Sequence, residues 1–155
     1  MTLTGENRFL PPNLSQRFLN EVRDLWVETN LTYDAETKDV AHKKAMRLLR
    51  HFARHVLNLP DEKFTVRSNK AGPAVSGEVV LHTEPFPDCP RGIYIMISQG
   101  SPNTILYRGC DGRNDYTGYR NNHAGMSDAF GSTKAMSDFA GYCKVLAQST
   151  NPSRF

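Results

Sequence analysis

Between positions 108 and 123 the chain concentrates side chains that can hold anions, stack on rings and move protons. They are Arg108, Arg113 and Arg120, Asp111 and Asp115, Tyr116 and Tyr119, and His123. Arginine forks grip phosphate or carboxylate through paired hydrogen bonds. Tyrosines stack on bases, and Asp115 or His123 can act as a general base. Glycines at 109, 112 and 118 permit positive φ, which lets successive backbone N–H groups converge on an anion. The stretch from Arg108 to Gly131 holds five of the eleven glycines and shows neither a helical nor a strand period, so it reads as one long Gly-rich loop. Loops of this length inside compact domains are functional or disordered. Tyr116, Tyr119 and Phe130 speak against disorder, because disordered linkers are poor in aromatics. The same Asp, Asn and Arg residues equally suit a loop that caps its own turns.

Established catalytic spacings do not appear. No Gly-Lys-Ser/Thr follows the glycines, as a phosphate-binding P-loop requires. A cysteine phosphatase built on Cys110 would need an arginine six residues later, and Tyr116 stands there. The glycines do not open a helix after a strand at dinucleotide-binding spacing. His82, Cys89, Cys110 and His123 are chemically suited to zinc, but their spacing is irregular and no two lie close together. No metal and no cofactor is expected.

A second constellation is cationic. Lys43, Arg47, Arg50 and Arg54 fall within an arc of about 60° if the segment is helical. Lys44, His51 and His55 flank them, and no acid occurs from Val40 to Asn58. Such a face attracts phosphates or an acidic protein surface. It lacks Asn, Gln or Ser to read base edges, so backbone contact is the expected mode for a nucleic acid. A solvated helix surface has the same composition. A third constellation, Glu78, His82, Tyr94 and Arg108, lines one face of a sheet if the strands below are placed correctly. It suits acid–base chemistry, a peptide contact or ordinary half-buried packing.

These residues need elements to hold them. Residues 1–12 read as a flexible arm. Leu14, Phe18, Val22, Leu25 and Trp26 recur at helical spacing behind Asn13 or Ser15 as cap. A second helix starts near Asp34, with Asp34, Glu36 and Asp39 at its positive end, and stops at Leu59-Pro60. Its apolar stripe is Ala41, Ala45, Leu48, Leu49, Phe52 and Val56. The short connection makes the two helices an antiparallel pair.

The period then changes. Phe64–Arg67, Val75–Thr83, Gly92–Ser98 and Thr104–Arg108 are β-branched, aromatic and mostly alternating, with turn clusters between them. Val79, Leu81, Ile95 and Ile97 are expected to face inward. Ser132 or Thr133 can cap a last helix with Met136, Phe139, Ala140, Cys143 and Leu146 on its apolar face, and 149–155 read as a flexible tail. The fold class is α+β: two N-terminal helices, a four-stranded antiparallel meander, the Gly-rich loop and a C-terminal helix.

Composition narrows the class further. The chain has 155 residues and reads as one domain, 1–155, long enough to bury a core without a staple. Charged residues make up 23% and the net charge is +3, too mild alone to imply nucleic acid. Three cysteines without CxxC spacing fit a reducing cytoplasm better than a disulfide framework. The N-terminus has no signal-peptide pattern, and no apolar run suits a membrane span.

The segment from Gly72 to Asn122 includes Ala74-Val-Ser-Gly-Glu-Val-Val-Leu-His-Thr83 and Tyr107-Arg-Gly-Cys-Asp-Gly-Arg-Asn-Asp-Tyr-Thr-Gly118. It resembles segments of small uncharacterised proteins of bacterial phages and plasmids, over about a third of the chain. The resemblance implies a cytosolic accessory protein of a mobile element that binds host machinery, including nucleic-acid-handling defence systems, and it assigns no residue a role. The leading expectation is therefore a stoichiometric binder of an acidic protein surface or a nucleic acid, with defence inhibition as one instance. Lys43, Arg47, Arg50 and Arg54 supply attraction, and Arg108, Arg113, Tyr116, Tyr119 and Arg120 supply shape-specific contacts. The alternative is an enzyme on a phosphate-bearing or nucleotide substrate, with Asp115 or His123 as base. Oligomeric state is left open.

Overall fold

The computed structural model describes residues 16–32, 35–69, 77–98, 103–113 and 120–149, with backbone alone at 26–32. Helix α1 spans Gln16–Thr32 and α2 spans Ala35–His51. Phe18, Leu19 and Val22 of α1 are buried with Ala41, Ala45, Leu48 and Leu49 of α2. The small alanines let the two helices approach closely, and Phe18, Val22, Ala41, Ala45, Leu48 and Leu49 of the expected stripes are buried, while Leu14 and the Trp26 side chain lie outside the described residues. The tips 1–12 and 150–155, and the caps Asn13 and Ser15, lie outside the described residues.

Helix α2 does not run straight to its stop. One wider π turn, Phe52–Val56, closes it, and the Leu57 amide donates to the Phe52 carbonyl at 2.9 Å. The extra residue per turn brings Phe52, Ala53 and Leu57 all to the core, where a regular helix would have aimed Val56. Asn58 then takes a left-handed conformation (φ 59°), a common helix terminator, and Pro60 prevents continuation.

Among the described residues the sheet has five strands in the order β1-β2-β3-β4-β5, every neighbour antiparallel. They are β1 Phe64–Asn69, β2 Glu78–Thr83, β3 Gly92–Ser98, β4 Thr104–Cys110 and β5 Asn122–Gly125. The meander is as expected, but the expectation of four strands is corrected to five. Strand β5 lies inside the supposed loop, pairing Ala124 with Ile105 and His123 with Leu106. The short helix α3, Met126–Phe130, follows it directly. The segment 108–131 is therefore not one structureless loop. Its ends are ordered strand and helix, and 114–119 lie outside the described residues.

Val79, Leu81, Ile95 and Ile97 point inward as the alternation requires, joined by Ile93 and Ile105. Helix α2 lies over β1 and β2, and α4 (Thr133–Gln148) lies over β3 and β4. Ser132 caps α4 by accepting from the Ala135 amide at 3.0 Å. Phe52, Phe130, Phe139 and Tyr107 knit the π turn, α3, α4 and β4 together. Their edge or tilted contacts lie at 4.9–5.7 Å between ring centroids. At the start of β3, Gly92 is required by close approach: a Cβ there would sit 2.4 Å from Thr83 Oγ1. That hydroxyl instead accepts the Ile93 amide at 2.9 Å, taking over where the β2–β3 ladder ends.

Candidate functional site

The cationic face forms on α2, but acids of α2 itself and of other elements come to it. Asp39 pairs with Lys43 at 3.0 Å, and Glu21 of α1 pairs with Lys44 at 3.2 Å. Arg54 sits on the π turn and makes a two-point bond to Asp61, 2.7 Å through Nε and 3.1 Å through Nη2. This bond raises the Arg54 pKa and lowers that of Asp61. A gap of acids in sequence is thus not a gap in space. Arg47 and Arg50, one turn apart on α2, have no ion pair among the described residues. Arg47 instead lies over the Phe18 ring, 4.8 Å from its centroid, which orients the guanidinium without neutralising it.

Beside Arg47 stand His51 and His55, with ring centroids 5.0 Å apart. Burial pushes the His51 pKa down to about 4, and the positive neighbours His55 and Arg47 add to the shift. The imidazole is therefore neutral at physiological pH. Its Nε2 is buried with no hydrogen-bond partner among the described residues.

The residues proposed for the loop are distributed over ordered elements. Arg108 is on β4, only 5% exposed, with its guanidinium stacked 4.4 Å over the Tyr94 ring and one N–H donating to the Gly109 carbonyl. Arg113 donates through Nε to Glu84 at 2.7 Å, and this bond holds the Glu84 carboxyl below its usual range. Of the three glycines expected at positive φ, Gly112 has φ 150°. Gly109 is in strand β4, where a Cβ would lie 3.0 Å from Cδ of the Arg91 side chain packed against it. Gly118, Asp115, Tyr116 and Tyr119 lie outside the described residues. Arg120 and His123 are exposed, and His123 stands on β5 opposite Leu106.

The outer sheet face carries the third constellation as a cross-strand row: Thr65, His82, Tyr94, Arg108. His82 is fully buried. Arg67 Nη2 lies 3.0 Å from its Nδ1. A guanidinium can only donate, so Nδ1 accepts and the ring proton sits on Nε2. The His82 ring meets Tyr94 edge-on at 4.7 Å. Glu78 is two residues along the same face, paired with Asn69 and Ser98 rather than with Tyr94. The expected grouping is real for His82, Tyr94 and Arg108, with Arg67 as the member that sequence reading missed.

The zinc-capable residues go separate ways. Cys110 donates to the Thr83 carbonyl at 3.6 Å, and His82 is engaged by Arg67. Among the described residues no three His, Cys, Asp or Glu side chains cluster as a metal site would need. Burial drives the Cys143 thiol far above its ordinary pKa, so it is an inert core residue. Among the described residues no helix is long and apolar enough to cross a membrane.

One juxtaposition was not anticipated. His42 on the buried side of α2 is 1% exposed, and its Nδ1 lies 2.5 Å from Oγ of Ser68 on β1. The signal was a polar residue within the helical run of core positions Ala41, Ala45, Leu48 and Leu49. Its partner is 26 positions away, which no spacing rule reaches.

No family model matches the chain, and no match to it was found among curated proteins or solved structures.

Proposed function

We propose that this protein binds an acidic macromolecular surface stoichiometrically, through the solvent face of α2 centred on Arg47 and Arg50. The carrying observation is that these two cations share one helix face and meet no carboxylate among the described residues, while Lys44 and Arg54 are held in internal pairs. Lys43 adds to the face, because its pair with Asp39 leaves the side chain 75% exposed. An exposed pair of this kind is worth only about 0.3–0.5 kcal/mol and is readily exchanged for a phosphate. Arg113 and Arg54 are better read as braces for the chain than as ligand contacts. A binding role of this type suits an accessory protein of a mobile element acting on nucleic acid or on a protein that handles it.

The test is fluorescence anisotropy with single- and double-stranded DNA and RNA across a salt series, for the wild type and Arg47→Glu/Arg50→Glu. Each phosphate contact contributes about 0.7–0.9 to the slope of log K against log salt. The double reversal should weaken binding and flatten that slope by about 1.4–1.8. Unchanged affinity and slope would remove this face from the function. Absence of nucleic-acid binding even at low salt would direct the same variant to acidic protein partners.

A further inference from the structure

We propose that His51 and His55 chelate one divalent transition-metal ion of the zinc class where α2 passes into its π turn. The two stand four residues apart, His51 as the last residue of α2 and His55 within Phe52–Val56. Residues four apart on a helix are neighbours on one face. A π turn winds wider and advances less per residue, which draws such a pair together, and π turns recur at functional positions. The two ring centroids lie 5.0 Å apart. Two imidazoles that bind one zinc ion at about 2.0–2.1 Å, at a tetrahedral angle, place their centroids about 5 Å apart. The ring planes are inclined at 45°, neither offset-parallel nor edge-on, so ring packing alone does not account for the contact.

A second observation points the same way. His51 Nε2 is enclosed, yet it has no hydrogen-bond partner among the described residues. Buried polar atoms nearly always have one, so this nitrogen calls for a ligand. The neighbouring His55 is exposed, which gives an ion its way in. Burial, and then the positive neighbours His55 and Arg47, hold the His51 pKa down to about 4, so at pH 7 the ring offers its lone pair without first losing a proton. Imidazole suits zinc, nickel and copper, whereas magnesium and calcium take oxygen ligands.

Two protein nitrogens leave the remaining coordination positions to water. This is a smaller demand than a closed site of three or more side chains, which the described residues do not supply. The nearby charges do not forbid it. Arg54, beside His55 in the chain, is neutralised by Asp61. Arg47 is drawn over the Phe18 ring, and its exposed guanidinium is screened by water and salt, so it lowers affinity for a cation without abolishing it. The inference stands on the two rings and does not depend on the binding role above.

The metal-free full chain is titrated with Zn²⁺ by isothermal titration calorimetry, and the imidazole resonances are followed by NMR. The expected result is one ion per chain, with shifts at His51 and His55 and none at His42, His82 or His123. His55→Ala and His51→Leu should each weaken binding by about 10²-fold, the gain that joining two ligands confers. His123→Ala should leave affinity unchanged, and Mg²⁺ should move no resonance. Because His55 is exposed, His55→Ala keeps the fold, which a melting temperature equal to that of the metal-free wild type checks. Unchanged affinity in His55→Ala, shifts centred on another histidine, or no saturable binding of Zn²⁺ overturns the proposal.

Discussion

His51 shows how one half-buried ring couples this protein to pH. Its folded pKa is near 4, whereas the free side chain titrates at 6.5. Between those values the unfolded chain takes up a proton that the folded chain refuses, so acidification favours unfolding. The contribution is whole above pH 6.5, declines as pH falls toward 4, and changes no further below that. We expect the melting temperature of His51→Leu to fall less steeply than that of the wild type between pH 6.5 and 4.5. We also expect its stability at pH 7 to be unchanged or raised, because the variant removes a buried nitrogen that has no partner among the described residues. Parallel acid profiles for the two proteins would show that His51 is solvated in the fold. The residue scale is also where the sequence was least transparent. Arg54 and Arg113 look like ligand-gripping cations in the chain. Their partners, Asp61 and Glu84, arrive from other elements, and no local pattern announces them.

At the scale of elements, what could be read followed from period and burial. The inward set Val79, Leu81, Ile95 and Ile97 was legible because strand alternation is strict where one face meets helices. Strand β5 was not legible. Asn122-His-Ala-Gly125 has little intrinsic preference for a strand, and it is ordered by pairing with β4 rather than by its own residues. The π turn was hidden for a related reason: Phe52 and Ala53 fit a regular helical stripe until Phe130 and Phe139 compete for the same core space. Helix α4 offers a check on local energetics. Among the described residues a Cβ placed on Gly141 meets nothing within 4 Å, so none of their packing requires glycine there. Gly141→Ala should stabilise the fold by about 0.5–1 kcal/mol, through helix propensity and a stiffer unfolded chain. For a chain of this length that is a rise of about 1–4 °C in melting temperature. A fall would mean that α4 is not a regular helix at that point.

For the molecule as a whole, the order of strands sets a gradient of stability. Strand β3 is hydrogen-bonded on both sides and sends Ile93, Ile95 and Ile97 into the core, while among the described residues β1 and β5 are each paired on one side only. Native-state hydrogen exchange should therefore find the β3 amides opening only with global unfolding and those of β5 opening locally at much lower free energy. Equal protection across all five strands would indicate a single cooperative sheet. The two one-sided strands have a consequence for life at high concentration. An open margin is a template on which another copy can crystallise into a fibril. Here one margin is only four residues long and ends in glycine, and the other turns polar at Arg67, Ser68 and Asn69, with a charged guanidinium in the middle. Neither offers the long, flat, greasy ribbon that self-templating growth needs, so the open sheet is guarded against amyloid without being closed into a barrel.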